Sequence, residues 1–289
     1  MTGPRQKPPT EPPASAGVLA RYARAYAKEL GVSEGRVRAW ISYMVLVGLL
    51  EQSRESSEGF QFTVKGGVAL ELRLRDRARA TKDIDLVLHH DEADLAGALE
   101  RAVDARARGG YQGFNYRRKG VPLVLENGTI SVEFAVTYEG GTWTSIIVDV
   151  ARAEPGEGEI ELLPAVLLQE ATGITGPAEL ACLSLRMHVA QKLHGMTLPP
   201  RRGRRNERFK DLVDVLLMEP LVTDYAGLRQ ACESIFRTRG THDWPPVLEL
   251  PSHWVEPFAA LARELDLPVQ DGHEAMGRVQ SFVDRIRIA

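Results

Sequence analysis

The chain has 289 residues, of which 44% are apolar and 26% charged, and a formal net charge of −3. That composition excludes a mostly disordered polypeptide, a collagen and a disulfide-dense miniprotein, and any attraction to nucleic acid or anionic lipid has to come from a local patch. The length suits two domains at about 100–200 residues each.

Five prolines fall within the first thirteen residues, so residues 1–15 read as a disordered, Pro-rich tail. The tail has no apolar core and is not a signal peptide. No run of roughly 18 apolar residues predicts a membrane span, and the expectation is a cytoplasmic protein without membrane contact. Cys182 and Cys232 are not spaced as a metal site or a redox pair and read as free buried thiols.

Residues 16–30 read as a helix stopped by Gly31, and 33–50 as a second helix with Ser33 as N-cap. Val37, Trp40, Ile41 and Met44 recur at spacings of three and four, which gives a buried face. With the polar loop 53–59, residues 16–58 form N-terminal helices packing on the core. The helix–Gly-Val-Ser–helix order also resembles a DNA-binding helix-turn-helix. Its second helix, however, is too apolar to lie mainly in a groove.

From residue 59 the pattern changes. Phe60, Phe62 and Val64 alternate with polar residues and predict a strand at 60–65. Gly66-Gly67 follows, then a helix at 68–76, a strand at 83–88 and a helix at 91–107. Strands at 130–138 and 143–151 are joined around Glu139-Gly140-Gly141. After Glu161 the helical period dominates, with helices at 178–196, 207–218, 224–238, 255–265 and 272–287 and an irregular connection at 242–254. The fold class is α+β. A small mixed sheet with flanking helices occupies 59–175, and a helical C-terminal domain occupies 176–289.

The stretch 62–86 carries the chemistry. A strand runs into two glycines and a helix starts at once. Glycine lets backbone amides approach a ligand closely, and a helix N-terminus favours an anion. Asp83 and Asp85 share one face of a strand, because residues i and i+2 point the same way. Alone, such a pair would equally suit an exposed edge strand bearing two solvated acids. After strand–Gly-Gly–helix, a hard cation between the two carboxylates is the stronger reading. Asp149 lies in the apolar strand IIVDVA and is costly to bury unless paired or metal-bound. Adjacent strands would bring the three acids together around Mg²⁺, or Mn²⁺, as in-line phosphoryl transfer uses them.

GGVALELRLRDRARATKDIDL resembles the signature of the DNA polymerase β-type nucleotidyltransferases, and more narrowly that of the AbiEii-type toxins, including the MenT group. The matching positions are Gly66, Gly67, Arg73, Arg75, Arg79, Thr81, Asp83 and Asp85. VAQKLHGM at 189–196 is similar to the family's lysine-bearing helix and places Lys192. RFKDLVDVLLM at 208–218 is similar to its R/K-x-x-Asp-Leu-x-Asp motif and places Asp211 and Asp214. IFRTRGTHDWPP at 235–246 is similar to a segment after a late helix in some members, a resemblance that implies Arg239 faces the nucleotide.

The resemblance implies a nucleotidyltransferase domain at 59–175. Gly66 and Gly67 would cradle a nucleoside triphosphate, and Asp83, Asp85 and Asp149 would bind metal. Lys192 would neutralise phosphate charge, with Asp211 and Asp214 orienting it or meeting the nucleotide. Read without the resemblance, Lys192 and these aspartates would make a plain salt bridge between packed helices. The implied activity is transfer of a nucleoside monophosphate, typically a pyrimidine nucleotide, from NTP to the 3′ end of tRNA. That would block aminoacylation and translation. The implied partner is a cognate antitoxin.

Arg201, Arg202, Arg204, Arg205, Arg208 and Lys210 form a dense basic segment that suits a tRNA clamp, and Arg117, Arg118 and Lys119 add a smaller patch. Phosphate on Thr81 would set a charge of about −1.5 to −2 beside the proposed metal site, so Thr81 is a candidate regulatory phosphosite. The alternatives are the same chemistry on a protein or small-molecule hydroxyl, and a DNA-binding regulator working through the N-terminal helices. His89, His90, His188 and His194 read as ordinary polar residues.

Overall fold

The computed structural model describes residues 9, 11–52, 61–75, 78–79, 81–90, 93–107, 111–165, 168–200 and 203–289. The expected loop at 53–59 and most of the expected tail lie outside these residues. The chain divides into two units. One comprises Met1–Asp76, Ala80–Ala153 and Leu162–Cys182, the other Arg77–Arg79, Glu154–Glu161 and Leu183–Ala289. A linear division at 175/176 misses the two short segments that join the second unit.

The first unit opens with α1 (Ala16–Leu30), capped by the Ser15 hydroxyl and ended by Gly31 in the left-handed region at φ +68°. In α2 (Glu34–Gln52) the Ser33 hydroxyl accepts the Arg36 N–H at 3.2 Å, as an N-cap does. Every residue from Ile41 to Leu50 is buried, so this part of the helix packs on the core, as its apolar sequence predicts. The Tyr116 hydroxyl donates to the Ser42 carbonyl at 2.7 Å, and Trp143 Nε1 donates to Ser42 Oγ at 3.1 Å. These bonds fix α2 to the sheet.

The sheet is built from β1 (Phe62–Lys65), β2 (Asp83–Leu88), β3 (Phe114–Val124), β4 (Ile130–Tyr138), β5 (Gly141–Arg152), β6 (Ile160–Pro164) and β7 (Glu179–Leu183), in the order β3-β4-β5-β2-β1-β7-β6. α3 (Gly66–Leu74), α4 (Leu95–Ala107) and the short α5 (Leu168–Thr172) complete the unit. β2 runs parallel to β5, and β1 parallel to β7; β1–β2, β3–β4 and β4–β5 are antiparallel. Ile84, Leu86, Val132, Phe134, Val136, Ile146, Val148 and Val150 point to one core with α1, α2 and α4. Each such side chain stabilises the fold by about 1.5–3 kcal/mol when fully buried. The alternate positions, Asp83, Asp85, Ile147, Asp149, Ser131 and Glu133, occupy the opposite face.

Two predicted elements need correction, and some observed strands were not expected. The helix expected at 68–76 begins at Gly66, so both glycines lie in its first turn. The helix expected at 178–196 is strand β7 followed by α6 (Leu185–Met196), whose N-cap Ser184 stands at the join. Glu179–Leu183 has helix-forming residues, but pairing with β1 overrides that preference. Neither β3 nor the short β6 has a counterpart among the expected strands, and β3 shows why. It is an edge strand, where Lys119, Gly120 and Pro122 are tolerated, so alternation fails beyond Tyr116.

The second unit holds α6, α7 (Phe209–Met218), α8 (Tyr225–Arg239), α9 (Val255–Glu264) and α10 (Gly272–Ile288). Asp224 caps α8 by accepting one backbone N–H and Asp271 caps α10 by accepting two, all at 2.9 Å. Leu193, Leu212, Val215, Ile235, Phe258 and Phe282 are among its fully buried side chains. Within the irregular connection, Trp254 Nε1 donates to the Asn206 carbonyl at 2.6 Å and anchors it.

Candidate active site

In the first unit, β1 ends at Lys65 and α3 starts on the next residue. Gly66 has φ +62°, and a Cβ placed there would lie 1.8 Å from Asp85 Oδ2. A Cβ on Gly67 would lie 2.5 Å from Thr81 Oγ1. The close approach of the acid-bearing strand therefore requires both glycines.

Strand register sets the acids. Lys65 pairs with Asp85 across β1–β2, Asp85 with Asp149 across β2–β5, and Asp149 with Ser131 across β5–β4. These four residues form one row on the open face, with Asp83 two positions along β2. Burial pushes the Asp149 carboxyl above its usual range; a hydrogen bond from Ser131 opposes this and the charge of Asp83 adds to it. Asp149 Oδ1 is buried and has no hydrogen-bond partner among the described residues. The Thr81 hydroxyl donates to Asp83 Oδ1 at 2.9 Å, and the Thr81 N–H donates to Glu71 Oε1 at 3.2 Å.

An orphaned carboxylate oxygen beside two further acids suits a hard cation that takes oxygen ligands. Among the described residues, no group of three or more His, Cys, Asp or Glu side chains is drawn in tightly enough to hold a metal ion. The acids share a face of the sheet, with Asp85 and Asp149 paired in register.

In the second unit, Lys192 of α6 meets Asp211 Oδ1 at 2.8 Å and Asp214 Oδ2 at 2.9 Å. Asp211 and Asp214 are three residues apart on α7 and so share a helix face. Arg79 forks onto Asp214 with Nε–Oδ1 at 2.9 Å and Nη2–Oδ2 at 3.0 Å. Arg208 pairs with Asp211. Burial alone would lower the Lys192 pKa, but Asp211 and Asp214 outweigh it and raise it. Burial likewise works to raise Asp214, and the charges of Lys192 and Arg79 overcome it and hold the carboxyl below its usual range.

Arg239 has different partners. Its guanidinium grips both oxygens of Glu154 at 2.8–3.2 Å, and Nη1 lies 3.3 Å from His194 Nδ1. His194 Nε2 lies 2.8 Å from Thr241 Oγ1. His194 thus belongs to a hydrogen-bonded side-chain network with Arg239 and Thr241. In the basic segment, Arg201 and Arg202 lie outside the described residues, and Arg204, Arg205, Arg208 and Lys210 are exposed. Of the smaller patch, Arg118 pairs with Glu100 and Lys119 with Glu133, while Arg117 is exposed. Cys182 and Cys232 are buried and neither is in a disulfide.

Sequence reading misses Lys65, Glu71, Ser131 and Glu154 as members of these clusters. Glu71 carries a local signal, since it is the single charge between Lys65 and Arg73. The others depend on pairing between distant segments. No helix among the described residues is long and apolar enough to cross a membrane.

A family model described as the nucleotidyl transferase AbiEii toxin of a type IV toxin–antitoxin system matches residues 49–281. No curated protein matches the chain. Among solved structures, the chain is similar to the nucleotidyltransferase toxin MenT4 from Mycobacterium tuberculosis H37Rv, at 17% identity and TM-score 0.62, over 94% of this chain and 89% of that one. An antigenic nucleotidyltransferase-like protein from Paracoccidioides brasiliensis matches at 17% identity and TM-score 0.40, over 69% of this chain and 90% of that one. The first of these likenesses establishes the shared α+β fold.

Proposed function

We propose, since this chain belongs to the AbiEii family of nucleotidyl transferase toxins, that it transfers a nucleoside monophosphate, a pyrimidine nucleotide, from NTP to the 3′ end of tRNA and so stops aminoacylation and translation. The observation that carries the chemistry is the packing of Gly66 on Asp85, with Asp149 abreast of Asp85.

In this reading the amides of Gly66 and Gly67, at the start of α3, bind the triphosphate. The acceptor hydroxyl oxygen attacks the α-phosphorus, the bond from that phosphorus to the bridging β-phosphate oxygen breaks, pyrophosphate leaves, and the hydroxyl proton passes to solvent water. Asp83, Asp85 and Asp149 would hold Mg²⁺ or Mn²⁺, which when bound lowers the pKa of the attacking hydroxyl and neutralises phosphate charge. Lys192, kept protonated by Asp211 and Asp214, takes the role of fixed cation toward the developing negative charge. Asp214 orients it. Arg239, gripped by Glu154, acts on the nucleotide through that network. The exposed arginines of the basic segment bind tRNA phosphates, and a cognate antitoxin restrains the enzyme in the cytoplasm. Phosphate on Thr81 would remove the hydroxyl bond to Asp83 and repel NTP.

Transfer from each of four α-³²P-labelled NTPs to total tRNA with Mg²⁺ tests the reading, with Asp83→Ala and Lys192→Ala beside the wild type. The expected result is label in tRNA from one or two NTPs, lost in both variants. Label in protein, or none in RNA, overturns the tRNA acceptor.

A further inference from the structure

Helix α3 is buried from Gly67 to Leu72, and Glu71 lies inside that stretch at 5% exposure. A carboxylate there is expensive to desolvate, and a leucine would pack without that cost. Both of its oxygens are engaged. Oε1 accepts from Arg36 Nη2 and from the Thr81 N–H, each at 3.2 Å. Oε2 accepts from Trp40 Nε1. The Arg36 guanidinium lies over the Trp40 ring, 4.8 Å from its centroid, so the two α2 residues brace each other as they grip Glu71. Burial pushes the Glu71 carboxyl up, and the charge of Arg36 with the bonds from Trp40 and Thr81 opposes that shift.

The chain of contacts continues to the acids. Thr81 is held at its N–H by Glu71, sits where Gly67 has no Cβ, and points its hydroxyl at Asp83 Oδ1, 2.9 Å away. The same hydroxyl lies 3.2 Å from the Asp83 carbonyl oxygen, so it cannot swing without losing both contacts. Docking of α2 does not need Glu71, because Ser42 already ties that helix to Tyr116 and Trp143.

We propose that Glu71 is a positioning residue for the Asp83 carboxylate, acting through Thr81 and locked by Arg36 and Trp40. The proposal rests on the reading that Asp83 carries the transfer. It gives α2 a role in the site: this helix delivers the two side chains that fix the start of the acid-bearing strand.

The test uses Glu71→Gln, which keeps an acceptor for the Thr81 N–H and removes the charge, and Trp40→Phe, which keeps the ring. Thr81→Val and Thr81→Ser separate the hydroxyl from the side-chain shape. Mn²⁺ binding is read by electron paramagnetic resonance on protein without nucleotide, and kcat and the NTP KM are measured in parallel. Loss of an orienting partner typically weakens metal affinity or activity by about 10–100-fold. Glu71→Gln and Thr81→Val should each weaken Mn²⁺ binding and lower kcat by about tenfold with the NTP KM unchanged. Trp40→Phe should shift both in the same direction. Thr81→Ser should restore most of what Thr81→Val loses, and Glu71→Gln should add nothing in the Thr81→Val background. Wild-type Mn²⁺ affinity and kcat in Glu71→Gln overturn the proposal, as does a loss that multiplies with that of Thr81→Val. Asp83→Asn separates the two readings. If it abolishes transfer while Glu71→Gln does nothing, only the positioning role fails. If it keeps wild-type kcat, the Asp83 reading falls and takes the Glu71 role with it.

Discussion

Arg79 grips Asp214 through two hydrogen bonds, Nε–Oδ1 at 2.9 Å and Nη2–Oδ2 at 3.0 Å, across 135 residues of sequence. The carboxylate is fully buried and also meets Lys192 Nζ at 2.9 Å. Removing one member of such a cluster strands the others in a dry environment. Asp214→Asn should therefore cost about 3–5 kcal/mol of stability, as breaking a buried pair does. Urea unfolding followed by circular dichroism reads this directly. Arg79→Lys should cost less, since it keeps the charge and loses the fork.

The same cluster sets a pH window. The folded pKa of Lys192 is raised, so its contribution is present below its unfolded value of 10.5 and is lost as pH rises through the higher folded value. The folded pKa of Asp214 is lowered, so its contribution is present above 3.8 and is lost as pH falls through the lower folded value. Neither group titrates between about pH 5 and 9. The ¹³C carboxyl resonance of Asp214 in the wild-type protein should be flat across that range, and a titration step near neutrality would show that the cluster is not paired as described.

What the sequence makes legible follows from interaction range. Asp83 and Asp85 are two apart, and Asp211 and Asp214 three apart, so local periodicity alone puts each pair on one face. Gly66-Gly67 is likewise a local signal. β3 was hidden because an edge strand needs no alternating core, and Glu179–Leu183 because its strand state comes from pairing with β1. The fork of Arg79 on Asp214 and the grip of Arg239 on Glu154 join segments far apart in the chain, and no spacing rule reaches them. Glu71 lay within reach, as a lone acid in an apolar helical run.

Gly66→Ala should be disabling. The residue sits at φ +62°, where an L side chain is strained by roughly 1–2 kcal/mol. Its Cβ would also run into the Asp85 carboxylate. Asp85 has to move, and a displacement of about 1 Å at a reacting centre can cost about 100-fold in rate. A transfer assay on Gly66→Ala should show a loss of that size with only a small drop in Tm. Retained activity would mean that Asp85 tolerates displacement and is not a working acid.

Thr81→Glu should abolish transfer while the fold persists. The substitution deletes the hydroxyl bond to Asp83 and places a negative charge next to three acids. Transfer rate and Tm measured together separate the two effects. Undiminished activity would rule out Thr81 as a site where phosphate switches the enzyme off.

The last prediction concerns the acceptor. Arg204, Arg205 and Lys210 are exposed, and replacing these three leaves the Arg208–Asp211 pair intact. A protein with net charge −3 has no general pull on RNA, and the pull has to come from such a patch. Each phosphate contact releases counterions and contributes about 0.7–0.9 to the slope of log affinity against log salt. Replacing all three residues by serine should weaken tRNA binding and flatten that slope by roughly 2–3, with the NTP KM unchanged. The readout is tRNA binding over a salt series, measured by fluorescence anisotropy. An unchanged slope would move the acceptor site elsewhere on the molecule and leave the basic segment as solvated surface.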